Sequence, residues 1–327
     1  MQNKVQSHNN SIETIYSHLP TGRVRERLRR FCVFLLMSLT VAGSWQGAEA
    51  ASGTWILNPV DNDWNNPANW SSNSVPGPLD PAFFAVSSTS NISIMASSSV
   101  FQLTFNSGAS AYSLTTLPGD SLDFGSGGIT NLSGVKQSFV AQTNDAGQSG
   151  TFGFSGFSAG SAGDEVMFTL QGASVSGAFG GAIYFGGEGG NAGSATLETL
   201  GGSMSGAMGG FIDFSGHSNA ASSTITNEGG QVIGATGGWT LFENGNPSAA
   251  NATIVANGGA ISGANGGLIS FYNSGQAGNS TLIANGGLNG ATGAIILFRD
   301  ATDGGTARVE VFGNANLDLR EHNSQPQ

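Results

Sequence analysis

Between about residues 170 and 298 apolar positions return every 28 or 29 residues, and within each period they alternate with polar ones over short runs. With h for an apolar residue, the unit reads ThxxxGGxhxGAxxGxhxF. Its phenylalanines fall at Phe185, Phe214, Phe242, Phe271 and Phe298, in steps of 29, 28, 29 and 27. The pairs Gly177-Ala178, Gly206-Ala207, Gly234-Ala235, Gly263-Ala264 and Gly290-Ala291 keep the same phase. Self-similarity at such a period is the mark of a solenoid, in which each coil buries its apolar side only against its neighbours.

Period-two alternation predicts three short strands per coil. The first carries Leu197, Ile225, Ile254 and Leu282, the second Met204, Val232 and Ile261, and the third Ile183, Ile212, Ile269 and Ile296 two residues before the phenylalanines. Three strands separated by glycine-rich bends trace one coil of an all-β parallel β-helix. Alternation points each third-strand Ile and Phe inward, as ladders. The doublets Gly201-Gly202, Gly229-Gly230, Gly258-Gly259 and Gly286-Gly287 then mark corners that need a positive φ or close backbone approach. Phe211, Trp239, Leu268 and Ile295 fall at the opposite parity of the third strand. They are expected to form an outward apolar strip that either contacts a partner or is covered by further sequence.

Residues 51–110 differ in being rich in Trp, Pro and Asn. Trp55, Trp64 and Trp70 are expected to cap the open core of the first coil, ahead of first strands that carry Ile92, Ile94, Phe101, Leu103 and Phe105. Residues 111–165 keep short alternating runs and Gly, Asn and Asp turns with a looser phase, and read as irregular coils of the same solenoid. Regular repeats follow over 166–319, and 320–327 form a disordered tail.

Composition narrows the function. Charged residues make up 9%, against roughly a quarter in soluble domains. Six of the ten basic residues lie in residues 1–50, ahead of the apolar run 31–41 and the small-residue site Ala48-Glu49-Ala50. That order is a secretory signal peptide over 1–50. Beyond it four basic residues face 18 acidic ones, which excludes a nucleic-acid-binding face. Cys32, the one cysteine, lies in the apolar run, so the exported chain has no disulfide to use.

Ile129 to Phe139 (ITNLSGVKQSF), Asn251 to Phe271 (NATIVANGGAISGANGGLISF) and Gly304 to Leu319 (GGTARVEVFGNANLDL) resemble bacterial autotransporter-type passenger proteins with glycine-rich β-strand repeats. The Trp-rich start, GTWILNPVDNDWNNPANW with VPGPLDPAFF, resembles the opening of such exported proteins. The resemblance covers most of residues 51–319. It implies a right-handed parallel β-helix of about 28–29 residues per coil, carried outside the inner membrane and displayed at the cell surface. Such proteins often continue into a C-terminal membrane barrel. This sequence runs into REHNSQPQ with no series of barrel strands, so a truncated product, a soluble secreted form, or pairing with a separate outer-membrane transporter is expected.

No catalytic constellation stands out. His217 and His322 lack companion ligands at metal-binding spacing, and no cofactor is expected. The carboxylate candidates are Asp164-Glu165, Asp213 and Asp300 with Asp303. A glycosidase needs two carboxylates facing one sugar, whereas the positions matching Asp213 are Tyr184, Leu241, Ser270 and Leu297. Asp300 to Gly304 reads as a turn and not a calcium loop. The function expected is therefore a non-enzymatic, adhesive or structural passenger whose partner is a surface glycan or protein. A carbohydrate-active β-helix enzyme and a remnant of a larger autotransporter are the alternatives.

Overall fold

The computed structural model describes residues 52–154 and 160–322. The signal-peptide reading and the last five residues of the expected tail lie outside them. Among the described residues twenty strands, numbered in chain order, form two parallel sheets. The 11-stranded sheet, here the phenylalanine sheet, runs β1 (Gly53–Thr54), β2 (Pro81–Phe84), β4 (Ser98–Phe105), β6 (Ser121–Asn131), β8 (Thr151–Phe154), β10 (Ala182–Phe185), β12 (Phe211–Ser215), β14 (Trp239–Glu243), β16 (Leu268–Phe271), β18 (Ile295–Asp300) and β20 (Asn316–His322). The nine-stranded sheet, here the leucine sheet, runs β3 (Asn91–Ile94), β5 (Ser113–Thr116), β7 (Gln137–Ala141), β9 (Val166–Leu170), β11 (Thr196–Thr199), β13 (Thr224–Asn227), β15 (Thr253–Ala256), β17 (Thr281–Ala284) and β19 (Arg308–Val311). β1 pairs directly with β2; from β2 on the chain alternates between the two sheets, and each strand pairs with the strand two places along: a parallel β-helix.

Between the sheets lies one continuous apolar core. Ile183, Ile212, Ile269 and Ile296 are fully buried, and so are Leu197, Ile225, Ile254 and Leu282 opposite them. The phenylalanines stack as expected, with centroid separations of 4.7, 4.7, 4.9 and 4.7 Å from Phe185 through Phe298 and interplanar angles of 9° or less. In-register parallel pairing sets this spacing, since neighbouring strands lie about 4.8 Å apart. A second stack, Phe139 on Phe168 at 4.8 Å, serves the leucine sheet in the earlier coils.

Each regular coil has two strands, not three. The segment carrying Met204, Val232 and Ile261 is a chain of tight turns, and Met204 is half exposed at 50%. The cause is the glycine that follows. Gly206 has φ +75°, a left-handed conformation that ends any extended run, and its amide donates to the carbonyl of Gly234 in the next coil. The turns therefore stack backbone on backbone, and only the small Ala207 and its equivalents face inward. The preceding doublets serve close approach instead of positive φ: a Cβ on Gly229 would overlap the Gly258 carbonyl oxygen.

The Ser- and Asn-rich loops after each phenylalanine also stack. Ser161, Asn191, Asn219, Ser248, Gln276 and Asp303 form a ladder of parallel bridges. Several of these side chains accept a hydrogen bond from the backbone two residues on, for example Asn219 Oδ1 from Ala221 N at 3.0 Å and Asp303 Oδ1 from Gly305 N at 2.9 Å. Those bonds fix the turn at the side-chain position itself.

Trp55, Trp64 and Trp70 are buried together in edge-to-face contact, with Trp70 5.9 Å from Phe84, which stacks on Phe105 at 4.9 Å. Two of the three indoles donate inward, Trp70 Nε1 to Trp64 O at 2.8 Å and Trp55 Nε1 to Thr89 O at 3.0 Å. Rings so enclosed offer no platform for sugar stacking. Phe101 departs from the expected inward set and is half-buried, because a register shift between Val100 and Gln102 turns Val100 into the core in its place. At the other end β20 continues through Arg320, Glu321 and His322, which the expected tail included; Arg320 is held by Asp318, and His322 lies 6.4 Å from the Phe298 ring.

Candidate interaction surface

Ile212 and Phe214 point into the core, so strict alternation sends Phe211 and Asp213 to the outside of the phenylalanine sheet. The pairing carries Phe211 to Trp239, Leu268 and Ile295 in successive coils, in one unbroken register. All four are half-buried. The Phe211 and Trp239 rings are 4.9 Å apart at 51°, and Tyr184 extends the aromatic run, 6.0 Å from Phe211 edge-on.

A second outward ladder, which sequence reasoning did not join to the strip, runs beside it: Tyr184, Asp213, Leu241, Ser270 and Leu297. Leu241 widens the apolar surface, whereas Asp213, Ser270 and Leu297 are buried beneath it. Asp213 is only 3% exposed, and its Oδ1 has no hydrogen-bond partner. Burial first, and the charge of Glu243 second, push its carboxyl well above the ordinary carboxylate range. Glu243 was passed over in the sequence because it follows Phe242 at the strand end, one coil away from Asp213. The Trp239 indole nitrogen and the Ser270 hydroxyl are also buried without partners.

The remaining candidates are scattered. Asp164 accepts a hydrogen bond from Ser194, Asp303 belongs to the loop ladder, and His217 Nδ1 meets Glu188 Oε1 at 3.1 Å in an exposed pair between adjacent coils. Among the described residues no group of three or more His, Cys, Asp or Glu could hold a metal ion. What the surface can do chemically is offer flat apolar and aromatic faces, repeated at the spacing of the coils, with one buried acid beneath them.

No protein-family model, no curated protein and no solved structure matches this chain.

Proposed function

We propose that this chain is an exported, non-enzymatic β-helix of the autotransporter-passenger type that acts as an adhesive or structural element at the cell surface. The observation that carries the reading is the Phe211–Trp239–Leu268–Ile295 strip, aligned rung on rung on the outer face of one sheet and prolonged by Tyr184. Large outward aromatics cost solubility without helping the core, so a partner that covers them accounts for their presence. A surface glycan or an extended protein strand has the flat, repeating shape that such a strip meets. The basic and apolar start of the chain supports export, and the resemblance to autotransporter passengers supports attachment through a separate outer-membrane transporter.

Purified protein is expected to bind cells or matrix glycans saturably, and labelled protein is expected at the cell surface. Absence of both binding and surface exposure contradicts the reading.

One feature favours carbohydrate-active chemistry: a carboxyl whose pKa is raised by burial, with Glu243 as a second acid near it, is the arrangement that supplies a general acid. Against it, Asp213 Oδ1 is enclosed and cannot reach a glycosidic oxygen in this conformation. Release of reducing sugar by the wild type but not by Asp213→Asn would favour the enzyme over the adhesin.

A further inference from the structure

The outer face of the leucine sheet, across the core from the strip, follows a rule of its own. Leu197, Ile225, Ile254 and Leu282 are buried, so alternation turns the residues before and after each of them outward. The residue before is threonine in every case. Thr196, Thr224, Thr253 and Thr281 stand in register in β11, β13, β15 and β17. Thr224 is exposed and the others half-buried, and among the described residues none of the four hydroxyls bonds to another protein group. Upstream the row continues as Ser113, Ser138 and Met167. The row beside it holds Glu198, Thr226, Val255 and Ile283. Strand propensity is met by any β-branched or aromatic residue, as the second row shows, so four identical residues in register need a further cause.

The face is regular, flat and nearly uncharged. Register shifts occur in the phenylalanine sheet, at Val100/Gln102 and Leu297/Arg299, whereas these four strands pair without one. The stacked phenylalanines turn by 9° or less from coil to coil, against roughly 20–25° between strands of an ordinary sheet. The threonine row is therefore nearly straight, with a rung of about 4.8 Å. Beyond residue 50 the chain carries 18 acidic residues, yet Glu198 is the one charge in the two rows of these strands. Charge complementarity thus calls for a neutral partner. A sugar finds no ring to stack on, and a peptide finds no open edge, because each of the four strands is paired on both sides. Ordered water is the neutral partner that hydroxyls and methyls in a straight row fit, and the oxygen rows of hexagonal ice repeat at nearly the rung spacing.

We propose that the threonine face of β11, β13, β15 and β17 binds ice. Each hydroxyl stands in for a water of a lattice row, and each methyl fits the space between rows. One such contact hardly differs from a contact with liquid water, so binding arises only because the rungs hold many of them in register at once. A chain adsorbed in this way stops the ice front where it sits. The front then bulges between neighbouring molecules, which lowers the temperature at which it advances. This surface lies apart from the strip and holds whether or not the strip is adhesive.

Growth of a single ice crystal in a solution of the full chain tests the proposal. Wild type is expected to shape the crystal into facets and to hold it without growth over a gap below its melting point that widens with concentration. Thr224→Lys with Thr253→Lys sets charges in the middle of the row. It is expected to raise the concentration needed for the same gap roughly tenfold or more, with an unchanged circular dichroism spectrum. Should that variant fail to fold, Thr253→Tyr decides, because an outward strand position accepts an aromatic residue while the bulk breaks the row. Phe211→Ser with Trp239→Ser is expected to keep the gap. A wild type that gives neither facets nor gap overturns the proposal, as does a gap that the threonine variants keep or that the folded strip variant loses equally. Retention on crystalline cellulose with no effect on ice gives the face to a polysaccharide and overturns it too.

Discussion

Thr240 occupies the place that isoleucine holds in neighbouring coils, and its hydroxyl donates to Asn227 Oδ1 at 2.9 Å across the fully buried interior. Thr199 donates to the same oxygen at 2.9 Å, and Asn227 Nδ2 donates to the Leu268 carbonyl at 2.9 Å. One amide therefore satisfies two hydroxyls and one backbone carbonyl from three other strands. Asn227→Ala leaves all three without it and is expected to cost about 1–3 kcal/mol in urea unfolding. Adding Thr240→Ile and Thr199→Ala returns the coil to the apolar pattern and is expected to recover most of the loss. A single substitution as mild as the triple one contradicts this account of the network.

The stacked rings set the next expectation. Phe214 lies 4.7 Å from both Phe185 and Phe242, nearly parallel to each, so its removal opens a gap that neither neighbour can close. Phe214→Ala is expected to destabilise by about 3–5 kcal/mol, and Phe214→Leu by clearly less. Equal losses for the two, measured by the same unfolding curves, would contradict the gap account, because leucine fills most of the space that alanine leaves empty.

Glycine separates into two kinds. Gly229 has the Gly258 carbonyl where its Cβ would stand, whereas Gly304 has open space around that position. Gly229→Ala is expected to cost about 1–3 kcal/mol, while Gly304→Ala is expected to be neutral or slightly stabilising through the unfolded chain. Thermal melts of the two variants side by side check the contrast; similar shifts would sink it.

Asp213 predicts a pH dependence with a definite sign. Its carboxyl stays protonated in the folded chain over a range where the unfolded chain, with an ordinary Asp near pH 3.9, has lost its proton. The folded state then binds more protons, so this group's contribution to stability falls as pH rises from about 4 through its raised value. Asp213→Asn removes that fall. The variant is expected to be more stable than wild type at pH 7, by on the order of 1–3 kcal/mol, with the advantage vanishing near pH 3. The difference between the two stability profiles isolates this site from Asp61 and Asp318, whose lowered values, set mainly by hydrogen bonds from Asn69 and Arg320, act with the opposite sign. Parallel profiles would contradict the burial argument.

The repeat period, the inward Ile and Phe ladders and the register of the outward strip were all legible in the sequence, because each is a matter of period and parity. The side carrying Met204, Val232 and Ile261 was not. An apolar residue in phase looks the same in a strand as in a turn, and the deciding feature was the left-handed Gly206 two residues on, whose φ no composition reveals. Asn227 and Thr240 were hidden for a different reason: each interrupts the apolar pattern, and only the fold across the core brings the two interruptions together. Asp213 was correctly placed on the outer side of its strand, yet parity alone does not reveal that it is only 3% exposed there.

The claim at the centre of this account is that the repeat supplies the scaffold and the outer strip supplies the activity. Binding of purified protein to cells and to immobilised matrix glycans measures it directly, when wild type is compared with Phe211→Ser combined with Trp239→Ser. The control substitutes Val255 and Ile283, outward positions of the leucine sheet, by Ser. Saturable binding that the strip variant loses at least tenfold and the control keeps is the predicted result. Binding that both variants keep, or that both lose equally while remaining folded, would contradict the assignment of function to the strip.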